Sequence, residues 1–184
     1  MHLHLADGFN SICFFIPILS SLLDGNVQMM SNSVFNSTLI SQLKNCDVIY
    51  YDFLQSQVIL KNKNHKYAIA RTSLNLFFNC CAQRFGHSLN GQKEAYRTLM
   101  HAKKGIPILV SQNPLLLFMP LKQQEWTIYI NYSRLEYHPQ RKNRSALSFV
   151  DDFQLEGLQT SQVERNYLNA KWYLKKIYSS QSSQ

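Results

Sequence analysis

A chain of 184 residues, 45% hydrophobic and 12% aromatic, is long enough for one domain with its own core and too apolar to be disordered. Its 19 Lys and Arg against 11 Asp and Glu leave a formal charge of +8, which suits an anionic partner, either nucleic acid or an acidic membrane surface. Cys13, Cys46, Cys80 and Cys81 have neither zinc-ligand spacing nor the spacing of a disulfide framework; they read as small buried hydrophobes in a reducing compartment.

In chain order, the first segment of note is the apolar run Phe9 to Leu23, interrupted by Ser11, Pro17, Ser20 and Ser21. It falls short of the roughly 20 residues that span a bilayer. No Lys or Arg precedes it, as a signal peptide would require. It is either a buried segment or an unstructured extension, and no membrane association is expected. Met29 and Met30 follow. Translation is expected to begin at one of them, leaving residues 1–28 outside the domain.

Residues 47–72 have the pattern of a β-meander. Asp47 to Tyr51 is one short run; Val58 to Leu60 and Tyr67 to Ala70 flank a polar turn, Lys61 to Lys66. Residues 73–85 predict a helix. Ser73 can cap its start, Leu74, Phe77, Phe78, Cys81 and Phe85 form one apolar face, and Gly86 stands where a left-handed cap belongs. Residues 92–104 have helix-forming composition but fit an extended segment equally well; Gly105 ends either.

Strands return beyond residue 105. Ile106 to Val110 and Leu115 to Met119 are apolar runs joined through a tight turn, Ser111 to Pro114. Trp126 to Tyr132 alternates, with Trp126, Ile128 and Ile130 on one side and Thr127, Tyr129 and Asn131 on the other, which predicts a strand buried on one face only. Arg141 to Arg144 is a basic turn before a last short strand, Ala146 to Val150. A capping box at Ser161–Glu164 opens a helix over 161–178, whose inner face is Val163, Tyr167, Ala170, Leu174 and Ile177. The fold expected is α+β: a single domain of curved antiparallel β-structure with a middle helix and a C-terminal helix packed on it. No pair of helices joined by a short glycine turn is expected, which disfavours a helix-turn-helix reader.

No catalytic set stands out. His2, His4, His65, His87, His101 and His138 lie apart, Asp151-Asp152 reads as an exposed turn into the last helix, and no phosphate-binding loop or metalloprotease motif occurs. Cys81 with His87 could be drawn as nucleophile and base, but an apolar helical position makes Cys81 a core residue. The chain is expected not to be an enzyme and to need no cofactor or metal.

The chemistry is that of binding. Residues 1–60 hold one base, Lys44, against four aspartates, whereas residues 61–104 hold nine bases against Glu94 alone. A solvated face would account for such a stretch. A phosphate-facing surface is preferred, because the stretch also holds the loop 84–93. There Gly86 and Gly91 permit close backbone approach, Ser88 and Asn90 offer short donors, and Arg84 and Lys93 add charge. The candidate contacts are Arg84, Ser88, Asn90, Lys93, Arg97, Lys103 and Lys104, with Arg141, Lys142 and Arg144 on the second basic turn.

Six motifs in order resemble the ComK family of competence transcription factors: Phe85-Gly86 leading into Ser88, Gly91 and Lys93; Pro107-Ile108; Phe118-Met119-Pro120; Trp126 opening an alternating stretch; Gln162-Val163-Glu164-Arg165; and Leu168. The resemblance covers about residues 46 to 177. Family members commonly carry Arg after the second glycine, where this chain has Gln92 and Lys93; Phe118-Met119-Pro120 inserts a residue; and the first 30 residues have no counterpart. The resemblance implies three segments: a divergent extension and start of the domain over 1–45, a DNA-binding domain over 46–178, and a polar tail over 179–184. It implies a cytoplasmic, nucleoid-associated activator of DNA-uptake genes. Such an activator binds A·T-rich double-stranded DNA boxes from the minor groove, self-associates as a dimer or pair of dimers, and is delivered by an adaptor to a Clp protease. The alternative is a basic RNA- or single-strand-binding module, with Tyr129 and Tyr132 as stacking platforms; a peripheral membrane role through Phe9–Leu23 is the other rival.

Overall fold

The computed structural model describes residues 27–30, 37–123, 126–136 and 144–181. In chain order the elements are β1 (Val27–Met30), α1 (Ser37–Asn45), β2 (Val48–Asp52), β3 (Gln57–Lys61), β4 (Lys66–Ala70), α2 (Leu74–Arg84), α3 (Leu89–Met100), β5 (Ile108–Gln112), β6 (Leu115–Gln123), β7 (Trp126–Asn131), a 3₁₀ turn (Tyr132–Arg134), β8 (Leu135–Glu136), β9 (Arg144–Phe149), β10 (Gln154–Gln159) and α4 (Thr160–Gln181). Seven strands form one curled sheet in the order β1-β4-β3-β2-β7-β6-β5, and three form a second in the order β10-β9-β8. Pairing is antiparallel except for β1, which lies parallel to β4 from Val27 opposite Lys66 to Met30 opposite Ile69. The fold is α+β, as expected. The expected start at Met29 or Met30 would fall inside β1, and the apolar run Phe9–Leu23 lies outside the described residues.

Alternation along the strands makes the large sheet two-sided. Val48, Tyr50, Ile59, Met119, Leu121, Ile128 and Ile130 face the small sheet and the start of α4, packing on Leu147, Phe149, Leu155, Leu158 and Val163. Ile49, Val58, Leu60, Ile69, Val110 and Phe118 face α1 and α2 through Leu39, Leu43, Phe77, Phe78 and Cys81. Strands covered on both faces read as continuous apolar runs, which is why β2, β3, β5 and β6 are visible in the sequence. The β7 strand departs from expectation. It lies between β2 and β6 and is buried on both sides: Asn131 is fully enclosed, and Tyr129 packs on Phe78 with ring centroids 4.7 Å apart.

The helix expected over 73–85 is α2. Ser73 Oγ accepts from Leu76 N at 3.2 Å. At the other end Gly86 N donates to Gln83 O and His87 N to Ala82 O, both at 3.0 Å, a closing pair that needs a left-handed residue; Gly86 has φ +76. The chain then forms a second helix after Ser88. Two helices joined by a four-residue glycine turn are therefore present, against the sequence expectation, and the ambiguous stretch 92–104 is helical as far as Met100. Its start was hidden by Gly91, a poor helix former in the first turn. This pair wraps the β5 edge of the sheet. Leu89 still packs with the α2 cluster, whereas Tyr96 packs with Tyr173 of α4, Leu109 and Leu117.

The last helix also departs in detail. It begins at Thr160, so Ser161 lies within its first turn, and it continues to Gln181, three residues into the expected polar tail of 179–184. Its predicted inner face is kept, with Val163, Ala170 and Leu174 buried.

One ionic junction ties the sheets together. Asp47, between α1 and β2, is fully buried and accepts from Arg134 Nε at 2.6 Å; Arg134 Nη2 lies 3.1 Å from Asp151 Oδ2. Asp151 is thus half-buried on a guanidinium in the β9–β10 turn rather than an exposed residue leading into the helix. Asn131 Nδ2 donates to the carbonyls of Leu43 and Cys46, at 3.1 and 2.9 Å, and so closes the end of α1.

Desolvation pushes the Asp47 carboxyl from its ordinary 3.8 up to about 7, against the pull of Arg134. A carboxyl that holds its proton more tightly folded than unfolded contributes stability that is full below the unfolded value and is lost as pH rises through the folded one. Stability measured by urea unfolding is therefore expected to fall between about pH 4 and pH 7, and Asp47→Asn to flatten that part of the profile. A slope unchanged by the substitution would assign the titration elsewhere. Phe78, fully buried between α2 and β6–β7, sets the packing of that face; Phe78→Ala is expected to cost about 3–5 kcal/mol, and near-normal melting of that variant would refute the packing.

Candidate nucleic-acid interface

The basic stretch is divided by the fold. Lys61 and Lys66 pair opposite each other at the ends of β3 and β4 and are buried, with Lys61 Nζ 5.8 Å from the centroid of the Phe153 ring. They do not belong to a solvated or phosphate-facing surface. Strand pairing reaches one residue further than the apolar run on each side, so the turn is only residues 62–65. Lys63 is exposed and lies 3.6 Å from the Asp152 carboxylate.

Most of the remaining candidates collect on the α2–turn–α3 corner. Arg84 is exposed in the last turn of α2. Ser88 is the N-cap of α3, its Oγ accepting from Gly91 N at 3.0 Å. One of its two lone pairs is therefore committed to the helix, and the hydroxyl proton stays available to an acceptor on a ligand. A Cβ on Gly91 would stand 2.9 Å from that oxygen, so the glycine serves the cap rather than an open loop. Leu89 N donates to Asn79 Oδ1 at 3.3 Å, which anchors the first turn of α3 to α2.

Asn90, Lys93, Glu94 and Arg97 follow at three- and four-residue spacing and so share one stripe along α3. Asn90, Glu94 and Arg97 are exposed and Lys93 is half-buried. The helix ends at His101, whose φ of +52 is left-handed, and exposed Lys103 and Lys104 follow. Gly105 fixes their loop against α4. It has φ +64, and a Cβ there would meet Asn166 Oδ1 at 2.8 Å; Asn166, itself buried, donates through Nδ2 to Pro120 O at 2.6 Å.

Arg141 and Lys142 lie outside the described residues, and Arg144 opens β9 in the small sheet. Behind the α3 stripe is a cleft of about 400 Å³ lined by Gly86, His87, Ser88, Gln92, Leu109 and Tyr173 among others.

The arrangement is suited to holding a polyanion. Cys81 is a core residue, as expected, and not a nucleophile paired with His87: it is buried, burial pushes its thiol up to about 12, and His87 is exposed. Among the described residues no three His, Cys, Asp or Glu side chains gather as metal ligands, and no helix is long and apolar enough to cross a membrane. Tyr129 and Tyr132 are not free platforms, since Tyr129 packs on Phe78 and Tyr132 stacks on Tyr167 at 5.3 Å. In the sequence the α3 stripe is hidden because Ser88 reads as a loop donor; as a helix cap it brings out the three- and four-residue spacing beyond it.

Gly105→Ala is expected to destabilise by about 1–2 kcal/mol from the left-handed backbone alone, with the Asn166 contact adding to it. Thermal melting within a degree of wild type would show that the loop does not rest on α4.

No curated protein and no solved structure matches this chain. A family model described as ComK protein matches residues 34–182, which takes in every element from α1 onward. With the α2–turn–α3 corner, the strands that follow it and the C-terminal helix all inside that match, the chain belongs to the ComK family, a family of competence-related transcription factors.

Proposed function

We propose that this protein activates genes for DNA uptake by binding A·T-rich boxes through the minor groove, as self-associated copies in the cytoplasm. The observation that carries the reading is a corner of exposed bases, Arg84, Arg97, Lys103 and Lys104 with half-buried Lys93, on a member of a transcription-factor family. A narrow A·T groove concentrates negative potential and attracts such side chains without needing a unique hydrogen-bond code. Arg141, Lys142 and Arg144 of the second basic turn supply a second basic contact. Control of its level by an adaptor and a Clp protease belongs to the same reading.

The glycine-turned helix pair favours a second reading. In it α3 enters a major groove with Asn90, Lys93, Glu94 and Arg97 toward the bases. Asn and Arg are suited to adenine and guanine edges there. The RNA or single-strand alternative loses its stacking residues, because Tyr129 and Tyr132 are packed.

Lys93→Ala, or Lys103→Ala with Lys104→Ala, is expected to weaken binding to all duplexes alike in salt-dependent titrations. Each lost phosphate contact should lower the log–log salt slope by about 0.9. Unchanged affinity and slope would move the DNA face to the Arg141–Arg144 turn.

A small A·T-selective minor-groove ligand should compete with the protein, and major-groove methylation should not. Moving two boxes apart by half a helical turn, about 5 base pairs, should harm binding more than a full turn. Loss of binding on methylation with no effect of the ligand would replace the minor-groove reading with the α3 major-groove one.

A further inference from the structure

The C-terminal helix has two apolar faces, and the core uses only one. Val163, Ala170 and Leu174 are buried against the sheets and α3. On the opposite side Leu168 and Trp172 stand one turn apart with 49% and 52% of their surface exposed. Cations surround them. Arg165 precedes Leu168 by three residues, Lys175 lies with its Nζ 5.0 Å from the centroid of the Trp172 ring, and Lys171 is exposed beside them. The helix has a single acid, Glu164, which is half-buried. A leucine and a tryptophan left in water at adjacent turns are the kind of anchor that protein partners bury, and Trp and Arg are the residues most enriched at such centres.

We infer that the outer face of α4 docks an acidic protein segment that presents one or two apolar side chains between aspartates or glutamates. The cationic rim supplies the charge complementarity, and Leu168 and Trp172 supply the apolar centre. DNA fits this face less well, because phosphates offer nothing to a leucine. A second copy fits less well too, because two such faces would bring Arg165, Lys171 and Lys175 against their own kind. The inference goes beyond the DNA reading and does not depend on which groove is bound.

The test uses full-length protein and a fluorescent 16-residue peptide with Leu and Phe at helical spacing and Asp and Glu elsewhere, read by anisotropy. The expected result is binding that weakens with salt and falls about tenfold or more in Leu168→Ser/Trp172→Ala, and likewise in Arg165→Glu/Lys175→Glu. A control peptide with serine at the apolar positions should bind about tenfold more weakly than the parent. All of these side chains are exposed, so both variants should melt like wild type, and Leu168→Ser/Trp172→Ala, which keeps the charge, should bind A·T duplex unchanged. The inference is overturned if Leu168→Ser/Trp172→Ala binds the peptide as wild type does, or if the serine peptide binds equally well. It is also overturned if that variant, still folded, loses duplex affinity or dissociates to a smaller oligomer. The face would then belong to DNA or to a second copy.

Discussion

One guanidinium serves two carboxylates at the joint between the sheets, and the rest of the fold is hung from that joint. Asp47 stands where α1 passes into β2, Arg134 closes the turn after β7, and Asp151 lies in the β9–β10 turn. The backbone follows the same lines: Asn131 N donates to Asp47 O at 2.9 Å and Val150 N to Arg134 O at 3.0 Å. Desolvation raises the Asp47 carboxyl more than Arg134 lowers it, and the second carboxylate on the same cation adds a smaller push in the same direction. The junction is therefore a specifier of geometry more than a source of stability. It sets how the small sheet closes over the face of the large one, and so where α4 begins.

What was legible in the sequence was what local chemistry determines. Ser73, the apolar face of α2 and Gly86 announce that helix at both ends, and apolar runs broken by turn residues announce β3, β4, β5 and β6. What was hidden depends on neighbours. Tyr129 and Asn131 are polar by type and look solvent-facing in an alternating strand. Phe78 covers the first, and the second is spent on the carbonyls of α1. Lys61 and Lys66 look like turn residues, but strand pairing carries them inside.

The candidate site was half legible for the same reason. The sequence names candidate residues, and the structure shows how those among the described residues are arranged. Gly86 and Gly91 look alike in the sequence and do opposite things: the first terminates a helix through its positive φ, and the second sits inside the next helix, pressed against its cap. Once Ser88 is a cap, a flexible phosphate cradle becomes a helix whose stripe carries Asn90, Lys93, Glu94 and Arg97. The helix orders the backbone of that stripe in advance, so a ligand there would have only side chains left to order.

Asn166 occupies the space that a side chain at Gly105 would need, and it holds Pro120 of β6 through Nδ2, while Lys176 Nζ reaches Leu99 O at 2.5 Å near the end of α3. The long helix is thus pinned at two heights to the basic corner and to the sheet. A shift of the helix along the sheet would therefore be felt at two places, the Pro120 carbonyl of β6 and the last turn of α3, rather than at its own ends alone.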